Sequence, residues 1–110
     1  MPDMETVIQE MVRRIVEAVH PDKIILFGSH ARGEAGPDSD VDLMVVAPSS
    51  DPRYKRTKPI LKALRGLLFP KDIVWYTPDE IARWAGEPAH FVRNVLQEGR
   101  VVYARTSGAS

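Results

Sequence analysis

Apolar residues recur in this chain with two different periods. Over residues 3–19, Met4, Ile8, Met11, Val12, Ile15 and Val19 fall three or four positions apart and line one face of a helix. His20-Pro21-Asp22 ends that helix, because proline disfavours helical geometry in the residue before it. Residues 23–27 form a short apolar run closed by Gly28 and Ser29, and this predicts a strand. Residues 41–47 are apolar on both faces beyond Asp42, the pattern of a strand inside a sheet rather than at its edge. Residues 72–76 predict a third strand and residues 101–104 a short edge strand.

Three further helices follow from the same reading. Residues 53–68 predict a basic helix whose Ile60, Leu61, Leu64, Leu67 and Leu68 pack on the sheet, with Pro59 either kinking it or marking its first turn. Thr77-Pro78-Asp79-Glu80 supplies Thr at the N-cap, Pro at N1 and Glu at N3, a strong helix start. That helix ends near Gly86. Pro88 starts another, with Phe91, Val92, Val95 and Leu96 as its apolar face and Gly99 as its stop. Between the first two strands, His30 and its neighbours make at most one helical turn, and Gly36-Pro37-Asp38 signals a turn. The order α-β-β-α-β-α-α-β predicts an α/β (α+β) fold, a small mixed sheet flanked by helices. It forms one domain over residues 1–110 with a frayed tail at 105–110.

Composition narrows the function. Fifteen basic and fifteen acidic residues give zero formal net charge, which argues against a dedicated nucleic-acid binder. The absence of cysteine excludes disulfides and thiolate metal sites. No apolar run approaches the ~20 residues of a membrane span, and the acidic, amphipathic N-terminus is unlike a secretory signal. The expected location is the cytoplasm. A chain of 110 residues has room for one core and no second substrate domain.

The chemistry concentrates in residues 26–46, "LFGSHARGEAGPDSDVDLMVV". Side chains alternate across a strand, so Asp40 and Asp42 point to one side at the start of the second strand. Two close carboxylates repel each other unless a cation sits between them. Mg²⁺ favours one or two carboxylates completed by phosphate oxygens and water. Asp72 opens the next strand and can converge on the pair. Two rival motifs fail. As a calcium loop, the run beginning at Asp38 has Leu43 where glycine is needed and Ser49 where glutamate is needed. Gly28 and Gly33 have Walker A spacing, but Glu34 and Ala35 replace its Lys and Ser/Thr. Gly28-Ser29 still suits an anion, because glycine admits close backbone approach and the amides of a turn can donate to phosphate.

Gly28-Ser29, Asp40-Val41-Asp42 and the later Asp72 together resemble the nucleotidyltransferase superfamily built on the DNA polymerase β palm. The string "FGSHARGEAGPDSDVDLMVV" is similar to the minimal nucleotidyltransferases (MNT) of bacteria and archaea, and "FVRNVLQEGRVVYAR" to their usual ending. The resemblance implies that Gly28 and Ser29 hold the β- and γ-phosphates of a nucleoside triphosphate. It implies that Asp40 and Asp42 bind Mg²⁺, with Asp72 helping to bind the second of two ions and to deprotonate the attacking hydroxyl. Arg32 is a candidate triphosphate clamp. The implied reaction transfers a nucleoside monophosphate, AMP from ATP, to a hydroxyl. The acceptor implied is a tyrosine of a helical HEPN toxin, which makes this chain the antitoxin. The alternatives are a non-catalytic module that neutralises a HEPN partner by contact, or transfer to a small molecule. A homo-oligomer through the apolar C-terminal helix is also open.

Other residues are read more plainly. Asp38 and Ser39 shape the loop. His30, His20 and His90 are structural or surface residues. Trp75 and Trp84 pack in the core or against a partner. The basic face formed by Arg53, Lys55, Arg56, Lys58, Lys62 and Arg65 is a solvated helix face.

Overall fold

The computed structural model describes residues 3–36 and 38–105. Pro37 of the expected turn and residues 106–110 of the expected tail lie outside them. Ten elements follow in order: α1 (Met4–Val19), β1 (Lys23–Phe27), α2 (Ser29–Arg32), β2 (Val41–Val46), α3 (Arg53–Arg56), α4 (Lys58–Ala63), β3 (Lys71–Tyr76), α5 (Pro78–Trp84), α6 (Phe91–Glu98) and β4 (Arg100–Ala104).

The strands form one four-stranded sheet in the order β3-β2-β1-β4. β1 pairs antiparallel with both β2 and β4, whereas β2 and β3 run parallel. The sheet is therefore mixed, with β2 inside and β4 at an edge, as the apolar patterns predict. α1 begins at Asp3, whose Oδ1 accepts the Thr6 N–H at 2.8 Å, and ends at His20 in a left-handed conformation.

Strand alternation sorts side chains into two cores. On one face, Ile8, Met11 and Ile15 of α1 and Ile60 and Leu64 pack against Ile24, Leu26, Leu43, Val45, Ile73 and Trp75. The Trp75 indole N–H donates to the Ala47 carbonyl at 2.8 Å, which satisfies the one polar atom of a buried ring. On the other face, Val92 and Val95 of α6 cover Ile25, Met44, Val46 and Tyr76. This second cover is shorter and leaves the β2–β3 end open.

The expected helix over residues 53–68 is instead two short helices. Pro59 sits in the first turn of α4, where its missing N–H costs nothing. The chain then turns at Gly66, with φ at +92°. Ile60 and Leu64 are buried as expected and Leu67 is partly so, but Leu61 is 48% and Leu68 96% exposed. Arg56 corrects the reading of a wholly solvated basic face, since it is buried. Its guanidinium donates to the Asp51 carbonyl at 2.9 Å and the Trp75 carbonyl at 3.3 Å. It also meets Glu80 Oε1 at 2.6 Å. Glu80 closes the capping box of α5 by accepting the Thr77 N–H at 2.8 Å, while Thr77 Oγ1 accepts the Glu80 N–H at 3.2 Å. Pro88 does not begin α6: its N-cap is His90, whose Nδ1 accepts the Val92 N–H at 3.0 Å.

Candidate active site

The site is assembled at one end of the sheet. Phe27, Asp42 and Asp72 form a row across β1, β2 and β3, paired Phe27 to Asp42 and Asp42 to Asp72. Neighbouring strands lie about 4.8 Å apart, so the Asp42 and Asp72 side chains leave adjacent backbones in the same direction. Both fall on the face that carries Met44, Val74 and Tyr76. Asp40 precedes Asp42 by two residues and shares its side.

The Asp42 carboxyl is held above the usual carboxylate range. Burial is the largest cause, followed by repulsion from Asp72 and then Asp40; His30 and Arg32 partly offset it. Asp42 therefore feels the charges of both Asp72 and Asp40, which places the three carboxyls near one another. Among the described residues, no three His, Cys, Asp or Glu side chains close around a common point. The geometry is thus an open edge rather than a cage. Such an edge fits Mg²⁺, which takes one or two protein carboxylates and keeps positions for water and phosphate.

Gly28 is built against this edge. Its φ is +74°, which disfavours side-chain-bearing residues, and a β-carbon at this position would overlap the Asp42 carboxylate. The turn after it is α2. The Gly28 carbonyl accepts the Ala31 and Arg32 N–H groups at 3.1 and 3.2 Å, and the Ser29 carbonyl accepts from Glu34 at 2.9 Å. The first amides of such a turn have no partner within it. Gly28 thus adjoins the carboxylate row at Asp42, with Ser29 next to it in the chain.

Arg32 is near enough to influence Asp42, but its guanidinium is engaged elsewhere. It pairs with Glu34 at 2.6 Å and with Glu98 of α6 at 3.7 Å. His30 Nε2 lies 3.4 Å from the Ser39 carbonyl, and the Ser39 hydroxyl accepts the Gly36 N–H at 2.9 Å. Both residues shape the loop. Trp84 stacks on His90 with ring centroids 4.4 Å apart.

Sequence reasoning treated Phe91 only as part of an apolar helix face and passed over Phe27. The structure pairs Phe27 with Asp42 and sets Phe91 against Phe27 in edge-to-face contact at 5.4 Å. Strand parity was the available signal for Phe27, since it shares a face with Ile25. The contact with Phe91 is long-range and has no local signature.

Clefts of about 270, 310 and 270 Å³ lie elsewhere: between α1 and β4, between α5, α6 and the start of β1, and beside Pro48 and Pro78. None is lined by Asp40, Asp42 or Asp72. At the carboxylate edge Asp40 and Asp72 are exposed and Asp42 is half-buried. Among the described residues, no helix is long and apolar enough to cross a membrane.

Comparison with known proteins bears on this geometry directly. Residues 7–102 match the family described as a nucleotidyltransferase domain. A protein of Methanocaldococcus jannaschii whose name ascribes to it protein adenylyltransferase activity is 38% identical over 92 residues, covering 74% of this chain and 77% of that one. Among solved structures, a Sulfolobus solfataricus protein described as a nucleotidyltransferase superposes with a TM-score of 0.66 at 19% identity, covering 91% of this chain and 79% of that one. A toxin–antitoxin structure with AMP-PNP gives 0.63 at 20% identity, covering 89% and 73%. A toxin–antitoxin MntA–HpeT mutant gives 0.55 at 19%, covering 96% and 76%.

Proposed function

Because this chain belongs to the nucleotidyltransferase-domain family, we propose that it transfers AMP from ATP to a hydroxyl of a protein, with Mg²⁺ at Asp40, Asp42 and Asp72. The observation that carries the reading is the Asp42–Asp72 row abutting Gly28-Ser29. It sets the carboxylates beside the turn that Gly28 opens.

In this reading Gly28 and Ser29 hold the β- and γ-phosphates, which places the α-phosphate over Asp40 and Asp42. The acceptor oxygen attacks the α-phosphorus. The bond from that phosphorus to the oxygen bridging to the β-phosphate breaks, and pyrophosphate leaves. Asp72, on the far side of Asp42 from Gly28, takes the hydroxyl proton. Mg²⁺ bound at the carboxylates supplies charge stabilisation to the entering and leaving oxygens. Arg32 exchanges Glu34 and Glu98 for phosphate oxygens, which its planar fork can bind bidentately.

The relative's name supports AMP and a protein acceptor. The two toxin–antitoxin structures support a toxin as the protein that presents the hydroxyl; that it is of the helical HEPN type rests on the resemblance of the sequence alone. An open edge suits an acceptor that brings its own surface.

Incubation with each α-³²P-labelled NTP, Mg²⁺ and the co-expressed partner tests this. Label from ATP is expected on a tyrosine of the partner, and Asp42→Ala is expected to abolish it. A partner neutralised equally well by Asp42→Ala, with no label from any NTP, would instead identify a stoichiometric binding module.

A further inference from the structure

Phe91 stands at the start of α6 on the carboxylate face of the sheet. Its ring meets Phe27 at 5.4 Å and 83°, and Tyr76 at 6.2 Å and 31°. These contacts fix its orientation while leaving the residue 41% exposed. Phe27 is the strand partner of Asp42, and Tyr76 lies four residues along β3 from Asp72. A ring touching both spans the region of Met44, two residues or about 7 Å along β2 from Asp42. Val74 beside it is only partly covered.

A triphosphate has one polar end and one nucleoside end. If its β- and γ-phosphates lie at Gly28-Ser29, its α-phosphate at Asp42 and the acceptor hydroxyl at Asp72, the nucleoside is left the direction along β2, over Met44. In that direction the Phe91 ring, 41% exposed, stands above the strands. An exposed aromatic of fixed orientation binds any base by its face and reads none of its hydrogen-bonding edges.

Resting on the triphosphate reading above, we propose that Phe91 is the stacking platform for the nucleobase and makes this site select purine over pyrimidine triphosphates. The larger purine ring covers more of the exposed aromatic surface. Adenine and guanine are not separated by it.

Calorimetric titration of the intact protein with Mg–ATP, Mg–GTP, Mg–UTP and Mg–tripolyphosphate tests the assignment. Phe91→Leu keeps apolar packing on Phe27 and Tyr76 while removing the ring, and thermal melts of each variant check that it is folded. The wild type is expected to bind ATP and GTP more tightly than UTP, and Phe91→Leu to weaken ATP at least about fivefold, the low end of what one base–aromatic stack contributes. Phe91→Leu is expected to lose most of that preference and to bind tripolyphosphate as the wild type does. Unchanged ATP affinity in folded Phe91→Leu would overturn the platform while leaving the triphosphate site standing. Failure of the wild type to bind either ATP or tripolyphosphate would overturn both.

Discussion

Gly28 and Asp42 are packed so closely that no side chain fits between them: a β-carbon on Gly28 would occupy the space of the Asp42 carboxylate. The glycine of the phosphate-side turn therefore also fixes where a site carboxylate can stand. Gly28→Ala is expected to push Asp42 aside and to place alanine at a φ of +74°. The strain alone costs about 1–3 kcal/mol. Misplacement of a carboxylate by an ångström is expected to cost about 100-fold in transfer rate. Turnover measured beside a melting curve checks both, and a variant that melts lower but turns over normally would separate the glycine from the site.

Asp42 should destabilise the metal-free fold. Its carboxyl is held above the ordinary aspartate value of 3.8 by burial, Asp72 and Asp40. The folded protein thus holds that proton more tightly than the unfolded chain does, and losing it costs folding free energy. The Asp42 contribution to stability is expected to fall as pH rises from below 3.8 through its folded pKa. In metal-free buffer at neutral pH, Asp42→Asn is expected to melt higher than the wild type. Mg²⁺ is expected to narrow or reverse the gap, because it stabilises only the form that binds it. Melts of both proteins with and without Mg²⁺ measure this directly.

Glu80 has the opposite sign. Its carboxyl lies below the usual range, chiefly through its hydrogen bond with Arg56, which outweighs the cost of burial. Its stabilisation is complete above the ordinary glutamate value of 4.5 and is lost as pH falls through the folded pKa. Glu80→Ala removes a capping-box partner and leaves buried Arg56 without its carboxylate. A loss of about 3 kcal/mol, the low end for orphaning a buried charge, is expected at neutral pH in denaturant titrations. Transfer activity of the remaining folded protein should be little changed.

The carboxylate row was legible because strand parity is local. A period of two puts Asp40 and Asp42 on one side, and the apolar run after Asp72 marks its strand; the parallel pairing that aligns Asp42 with Asp72 completes the row. The capping box at Thr77 was equally legible, since its four residues carry its whole mechanism. The break between α3 and α4 was hidden. It accompanies the insertion of Arg56 between Asp51, Trp75 and Glu80, and the latter two lie 19 and 24 residues away. Leucine periodicity alone continued the helix through Leu68, which the turn at Gly66 leaves in solvent. Phe91 was hidden for the same reason, because its neighbours Phe27 and Tyr76 come from other elements.

The central claim is that Asp40, Asp42 and Asp72 gather divalent metal where a triphosphate ends. Electron paramagnetic resonance with Mn²⁺ in place of Mg²⁺, in the presence of a non-hydrolysable ATP analogue, measures it most directly. Two tightly bound Mn²⁺ per chain are expected, magnetically coupled at the roughly 3.5–4 Å separation of two-metal phosphoryl-transfer sites. Asp42→Asn is expected to lose both the coupling and the tight binding. Binding that is no tighter in the wild type than in Asp42→Asn would contradict the account, whatever the partner protein proves to be.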